Sequence, residues 1–201
     1  DVYFLPEYLL ASEREGRGVA ACAVAWSDTA LWLYPFLVSP LPGTSADAED
    51  AAADLMSPYG YGGPVVNRDG ESSEFLSAVA DPFSEWARAR RVVAEFIRFH
   101  PLLHNSRWAM TGTHILVDRT TVPIDLRVYP HAWLHDPYYR VHRGMIRRAE
   151  REGFVFEVDR QPLPAMGWFT ALYSDTQDAL HASEETRFGQ TYFESLASGL
   201  G

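Results

Sequence analysis

Val19-Ala20-Ala21-Cys22-Ala23-Val24-Ala25-Trp26-Ser27-Asp28-Thr29-Ala30-Leu31-Trp32-Leu33-Tyr34-Pro35-Phe36-Leu37-Val38 decides the fold class. Two apolar runs rich in Val, Leu, Trp and Tyr, 19–26 and 29–38, are parted by the turn pair Ser27-Asp28. That pattern reads as an antiparallel hairpin. Further along, 114–117 and 122–126 are expected to pair around Asp118-Arg119-Thr120-Thr121. Val92 to His100, β-branched and closed by Pro101, reads as a strand, and 154–158 as a short one. Helices are expected at 73–90, with Pro82 breaking or kinking it, and from the Asp136-Pro137 cap to about Glu152, where Gly153 stops the helix. Two more are expected at about 164–180 and 190–198. Hairpins mixed with helices give an α+β (mixed α/β) fold rather than a doubly wound parallel sheet.

Between these elements lies Ser57-Pro58-Tyr59-Gly60-Tyr61-Gly62-Gly63-Pro64. Three glycines and two tyrosines between prolines suit neither a regular helix nor a strand, so the segment is a shaped loop. Residues 40–54, with Asp47, Glu49, Asp50 and Asp54, read as an acidic loop or short exposed helix.

The chain has 201 residues and is 47% hydrophobic and 22% charged, which describes an ordinary globular chain. Its longest strongly apolar run, 20–26, is far shorter than the roughly 20 residues of a membrane helix, so no span is expected. The amino end lacks the basic start and apolar core of a signal peptide, and the expected location is the cytoplasm. Cys22 is the one cysteine, which excludes an internal disulfide and any thiol pair for zinc. The net charge of -10 disfavours a broad nucleic-acid surface, although local patches remain open. All 17 basic residues are arginine, so lysine Schiff bases, P-loop lysines and lysine general bases are excluded.

Three sets of residues carry candidate chemistry. In the loop, Gly60, Gly62 and Gly63 let backbone N–H groups approach a ligand, while Tyr59 and Tyr61 offer rings and hydroxyls. The same loop also reads as a tight connection whose tyrosines cap the core. Arg140, Arg143, Arg147 and Arg151 fall at helical spacing on one face, matching phosphate oxygens or serving as a solvated stripe paired with Glu150 and Glu152. Arg98, His100, His104 and Asn105 cluster around Pro101, and Arg98 and His100, two apart, are expected on one side of a strand. His131 and His135 lack a zincin glutamate, and no metal site is expected. No nucleophile elbow, Walker pattern or dinucleotide glycine pattern is present.

Several segments together resemble a known group. They are Asp1-Val2-Tyr3-Phe4-Leu5-Pro6-Glu7-Tyr8, the loop 57–64, Glu95-Phe96-Ile97-Arg98-Phe99-His100-Pro101-Leu102-Leu103, Thr121-Val122-Pro123-Ile124-Asp125-Leu126 and Arg143-Gly144-Met145-Ile146-Arg147-Arg148-Ala149. Trp168-Phe169-Thr170-Ala171-Leu172-Tyr173 with Thr176, and Tyr192-Phe193, join them. In this order they resemble acyltransferases of the GCN5-related N-acetyltransferase (GNAT) fold, in particular the two-lobed FemAB-like branch.

The resemblance implies a central, mostly antiparallel sheet flanked by helices. It implies a first lobe over 1–160 and the helical start of a second, incomplete or separate lobe over 161–201. It also implies transfer of an acyl group from acyl-CoA or aminoacyl-tRNA, as co-substrate rather than firmly bound cofactor, to an amine-bearing acceptor such as a peptide, cell-wall precursor or small molecule. tRNA is then among the expected partners. His100, Asp125 and water are the candidate proton acceptors, and Tyr59, Gly60, Tyr61, Gly62, Gly63, Arg98, His100, Asn105, Arg143 and Arg147 the candidate binding residues. The acyl-CoA signature Q/R-x-x-G-x-G/A is absent, the nearest run having Glu15 at its first position. A noncatalytic lobe that recruits a ligand or partner is the alternative.

Overall fold

The computed structural model describes residues 1–41, 51–123, 127 and 140–200. By compactness the chain divides into two units, Asp1–Ile115 together with Pro162–Gly201, and Leu116–Gln161. Residues from Pro162 onward count with 1–115 in this division.

The first unit is a mixed α+β structure. Its antiparallel hairpin consists of β1 (Val19–Trp26) and β2 (Leu31–Pro40), in register from Val19 opposite Val38 to Trp26 opposite Leu31. The connection is closed by Ser27 N donating to Ala30 O (2.9 Å) and Ala30 N donating to Ser27 Oγ (3.1 Å). β2 also pairs antiparallel with β3 (Ala53–Met56) and with the short β4 (Val65–Val66). β3 then pairs in parallel with β5 (Val92–Phe96), giving the order β1-β2-β3-β5 with β4 on β2. The crossover between β3 and β5 carries helix α2 (Ser73–Ala89), capped by the Ser72 hydroxyl accepting from Phe75 N (3.2 Å).

Alternation along β2 sends Trp32, Tyr34 and Phe36 to one face, where they are fully buried with Leu55 and Val79 against Phe75, Leu76, Phe83 and Trp86 of α2. Of the expected break or kink at Pro82, the break does not occur: α2 runs continuously through it. Pro82 and Ala78, whose carbonyl loses its partner, both lie on the exposed side, so water takes the freed acceptor. At the margin of the core, the Tyr34 hydroxyl donates at 2.8 Å to Oε1 of Glu95, a residue that is exposed overall with its carboxyl turned to the buried phenol. Burial pushes the Glu95 carboxyl above its ordinary value, with the Tyr34 bond opposing.

A raised folded pKa for an acid means stability that is fully present below the unfolded value and lost as pH rises through the folded one. Glu95→Gln keeps an acceptor for Tyr34 without a charge. It is therefore expected to be more stable than wild type at pH 7, with the advantage shrinking towards pH 4, as read by urea unfolding at both pH values. Equal stability at pH 7 would show the carboxylate to be well solvated.

Helix α1 (Pro6–Arg14) packs on β1, β2 and the C-terminal helix, while Val24, Trp26 and Leu31 on the sheet face away from the core stay exposed. Proline at its first turn suits the exposed N–H groups there.

In the second unit, helix α3 (Arg140–Arg151) lies within the expected 136–152 span. The expected strands at 114–117 and 154–158 are not formed. A strand needs a ladder partner, and Leu116, Val117 and Phe156 are 86%, 95% and 90% exposed. Val122 and Pro123 are likewise outside any strand, while 124–126 lie outside the described residues. Returning to the first unit, helices α4 (Met166–Ala179) and α5 (Gln190–Leu200) match the expected pair, and α5 packs along α1.

Candidate functional site

The glycine-tyrosine loop leaves the end of β3 and stays stitched to the continuation of β5. Ser57 N donates to Phe96 O (3.0 Å), Arg98 N to Ser57 Oγ (2.8 Å) and Gly62 N to Arg98 O (2.8 Å). A parallel bridge joins Gly62 to Phe99. Gly60 and Gly63 sit at φ +100° and +91°, where a Cβ is strained. At Gly63 a Cβ would also lie 3.0 Å from each of Asn105 Nδ2, Ile97 Cγ2 and Phe99 Cδ1.

Asn105 fastens the loop from behind. Fully buried, it donates from Nδ2 to Gly62 O (2.8 Å) and Pro64 O (3.1 Å) and accepts from His100 N on Oδ1 (2.8 Å). His104, at φ +50°, turns the chain so that Asn105 faces inward.

His100 is buried beside Tyr61 and Tyr3, at ring distances of 5.3 and 6.0 Å. Its Nδ1 accepts from Leu102 N (3.2 Å) and its Nε2 lies 2.8 Å from Asp1 Oδ2, so the neutral ring carries its proton on Nε2. Burial pushes its pKa down. With its one lone pair occupied, this imidazole fastens structure and has no free site for a substrate proton. Arg98 does not share its surroundings: the Arg98 side chain is exposed while His100 is buried, because the strand ends at Phe96 and the alternation of sides ends with it.

The two loop tyrosines part company. Tyr61 packs edge-on to Tyr3 at 5.3 Å and against His100. Tyr59 is 46% exposed and meets the ring of Phe188 at 5.0 Å, on the wall of an open cleft of about 430 Å³. Tyr8 of α1, Tyr173 and Gln177 of α4, and Tyr192, Phe193 and Leu196 of α5 complete it with Thr186 and Phe188.

A hydrogen bond binds this cleft to the loop. The Tyr8 hydroxyl donates to Tyr59 O at 2.8 Å, and Tyr192 of α5 lines the same cleft, so α1 and α5 meet the loop there. Tyr173 donates to Thr186 O. Burial pushes the Tyr8, Tyr173 and Tyr192 phenols up, so all three stay protonated at neutral pH.

Two residues after α1 hold the far wall. Arg17 donates to Glu185 O (2.6 Å) and Arg187 O and lies 4.0 Å over the Phe188 ring, while Glu15 Oε1 accepts from Gly189 N (2.5 Å).

Sequence reasoning named the loop, Arg98, His100 and Asn105, and the first unit gathers their backbones in one place. It did not name Tyr8, Tyr173, Phe188 or Tyr192 as site residues. The available signal was the resemblance, whose quoted segments include Tyr8, Tyr173 and Tyr192. Arg143 and Arg147 lie on α3, in the second unit, where Arg147 is exposed. Glu152 there pairs with Arg148 at 2.7 Å, off the expected stripe. Asp125, His131 and His135 lie outside the described residues.

Among the described residues no group of three His, Cys, Asp or Glu side chains is placed to hold a metal ion. No helix among them is long and apolar enough to cross a membrane. No protein-family model, curated protein or solved structure matches the chain.

Proposed function

We infer that the chain is the acceptor-binding part of a FemAB-like, GNAT-fold N-acyltransferase or aminoacyltransferase acting in the cytoplasm. The observation that carries this reading is the cleft in which α1, the glycine-tyrosine loop, α4 and α5 converge, a concave aromatic site with a few placed polar groups. The mixed sheet, antiparallel through β1, β2 and β3 and parallel between β3 and β5, is compatible with that fold.

Chemically, the acceptor nitrogen attacks the acyl carbonyl of acyl-CoA or aminoacyl-tRNA. A C–N bond forms, the C–S or C–O bond breaks, the nitrogen loses a proton to solvent and the leaving thiolate or alkoxide takes one up. Alignment of the two reactants supplies the main acceleration, and no covalent enzyme intermediate is required. The phenols of Tyr8, Tyr173 and Tyr192, held protonated, orient the acceptor and do not serve as bases. Arg143 and Arg147 are assigned to phosphates of the acceptor or of tRNA.

A second reading, a noncatalytic ligand-binding lobe, is favoured by one observation: among the described residues no acid, histidine or cysteine lines the cleft. Incubating the chain with radiolabelled acyl-CoA, and separately with charged tRNA, against a panel of amines separates the two. The acyltransferase reading expects an amide product with one donor. It also expects Arg143→Ala with Arg147→Ala to weaken binding of tRNA or of a nucleotide-linked peptide and flatten its salt dependence, by about one to two units of log–log slope for tRNA. Ligand binding with no amide from either donor establishes the second reading.

A further inference from the structure

We propose that the tyrosine cleft recognises a neutral hydroxylated ring, a saccharide unit, as the part of the acceptor that this lobe holds; the proposal rests on the reading of the cleft as the acceptor site. Charge comes first. Among the described residues no charged side chain lines the cleft, so a carboxylate or phosphate finds no cationic partner in its lining. Arg17, over the Phe188 ring and outside the lining, gives Nη1 and Nη2 to two backbone carbonyls and leaves Nε without a partner. Its field lowers the Tyr173 and Tyr192 phenol pKa against the effect of burial and disfavours an ammonium group at that wall. With no charged lining side chain among the described residues to pair a ligand charge, a neutral portion suits the cleft.

Hydrogen-bond direction comes second. The protons of Tyr8 and Tyr173 are committed to Tyr59 O and Thr186 O. What these hydroxyls can offer a ligand is lone pairs, so the ligand brings donors.

The walls supply the third constraint. Phe188 stacks on Tyr192 at 4.2 Å and meets Tyr59 edge-on at 5.0 Å, which presents flat apolar surface beside the oxygens. A pyranose has a C–H face for such rings and a rim of hydroxyl donors for such oxygens. A benzene ring would leave the oxygens unmet, and an open-chain polyol would leave the walls uncovered. The cleft, about 430 Å³, falls within the roughly 300–1,000 Å³ of small-molecule sites.

The test uses the intact chain and saturation-transfer NMR with methyl β-glucopyranoside, sorbitol and phenol. The glucoside is expected to bind in the millimolar range, with sorbitol and phenol at least tenfold weaker. Tyr59→Ala, at a half-exposed position, should weaken the glucoside tenfold or more, and Leu196→Trp, which fills the cleft, should do the same; circular dichroism verifies that both variants fold. Equal binding of sorbitol, preference for phenol, no binding of the glucoside, or glucoside binding that neither folded variant weakens overturns the proposal.

Acyl-transfer assays with 6-amino-6-deoxy-methyl glucoside and with propylamine separate it from the reading beneath it. Glucoside binding without acylation of the aminated sugar leaves the saccharide site standing and ends the acyltransferase reading. Transfer to propylamine with no glucoside binding does the reverse.

Discussion

Asn105→Asp is expected to destabilise the protein by roughly 3–5 kcal/mol at neutral pH, the scale of a broken buried polar network. The wild-type amide donates to Gly62 O at 2.8 Å and Pro64 O at 3.1 Å from a position with no solvent exposure. A carboxylate cannot donate, so its oxygen faces two carbonyl oxygens and its charge is buried without a cation. Desolvation then raises the folded pKa above the unfolded value of about 3.9. By linkage the folded state binds the extra proton, so the variant loses least below pH 4 and progressively more as pH rises through the folded pKa.

Asn105→Ala removes the same bonds without the charge. It leaves His100 N, Gly62 O and Pro64 O unmet, at about 1–3 kcal/mol for each group that water cannot reach. Its deficit is expected to be flat with pH. Urea unfolding of both variants at pH 7 and pH 5 separates charge from lost bonds. An Asp variant within about 0.5 kcal/mol of wild type would mean that water reaches the loop and that Asn105 is no clamp.

How far such a site was legible varies with the distance over which each element is determined. The hairpin β1–β2 was readable because two β-rich runs meet at Ser27-Asp28 and pair locally. β3 was not: Ala53-Asp54-Leu55-Met56 is four residues with an acid inside, and it is a strand because β2 and β5 flank it on both sides. The opposite error occurred at 114–117 and 154–158, where β-branched and aromatic residues suggested strands that no ladder completes.

Within the site, the loop was legible as a loop because glycine and proline exclude regular structure. That Tyr59 turns to the cleft and Tyr61 to His100 depends on the positive φ of Gly60, which one sequence does not disclose. Asn105 was singled out for its nearness to Arg98 and His100. Its real partners include carbonyls more than 40 residues earlier, beyond any spacing argument. The cleft itself draws on α1, 57–64, α4 and α5, so its assembly follows from tertiary packing and not from any local pattern.

The same positive φ gives the other large expected effect. A Cβ added at Gly60 would lie 2.4 Å from Tyr3 Cε1 and 3.1 Å from Cδ1 and Cζ, at φ +100°. Two costs act together in Gly60→Ala. Holding an L-residue in a left-handed conformation costs about 1–2 kcal/mol, and forcing atoms into a packed site about 1–3 kcal/mol. Tyr3 cannot simply swing away, since its ring packs edge-on to Tyr8 at 5.2 Å and Tyr61 at 5.3 Å.

If the backbone yields instead, rotation at Gly60 turns the peptide that carries Tyr59 O, the acceptor of the Tyr8 hydroxyl. Gly60→Ala is therefore expected to lose roughly 2–4 kcal/mol of stability and to weaken ligand binding in the cleft, which Tyr59→Phe, lacking only the hydroxyl, does not reproduce in stability. Tyr3→Ala in the same chain should return the steric part, so the double-mutant cycle gives a favourable coupling of about 1–2 kcal/mol while the φ cost persists. Additive losses in that cycle would place the whole effect in the backbone, and no loss at all would mean that the loop at 60 has room to rearrange and does not hold Tyr59 in place.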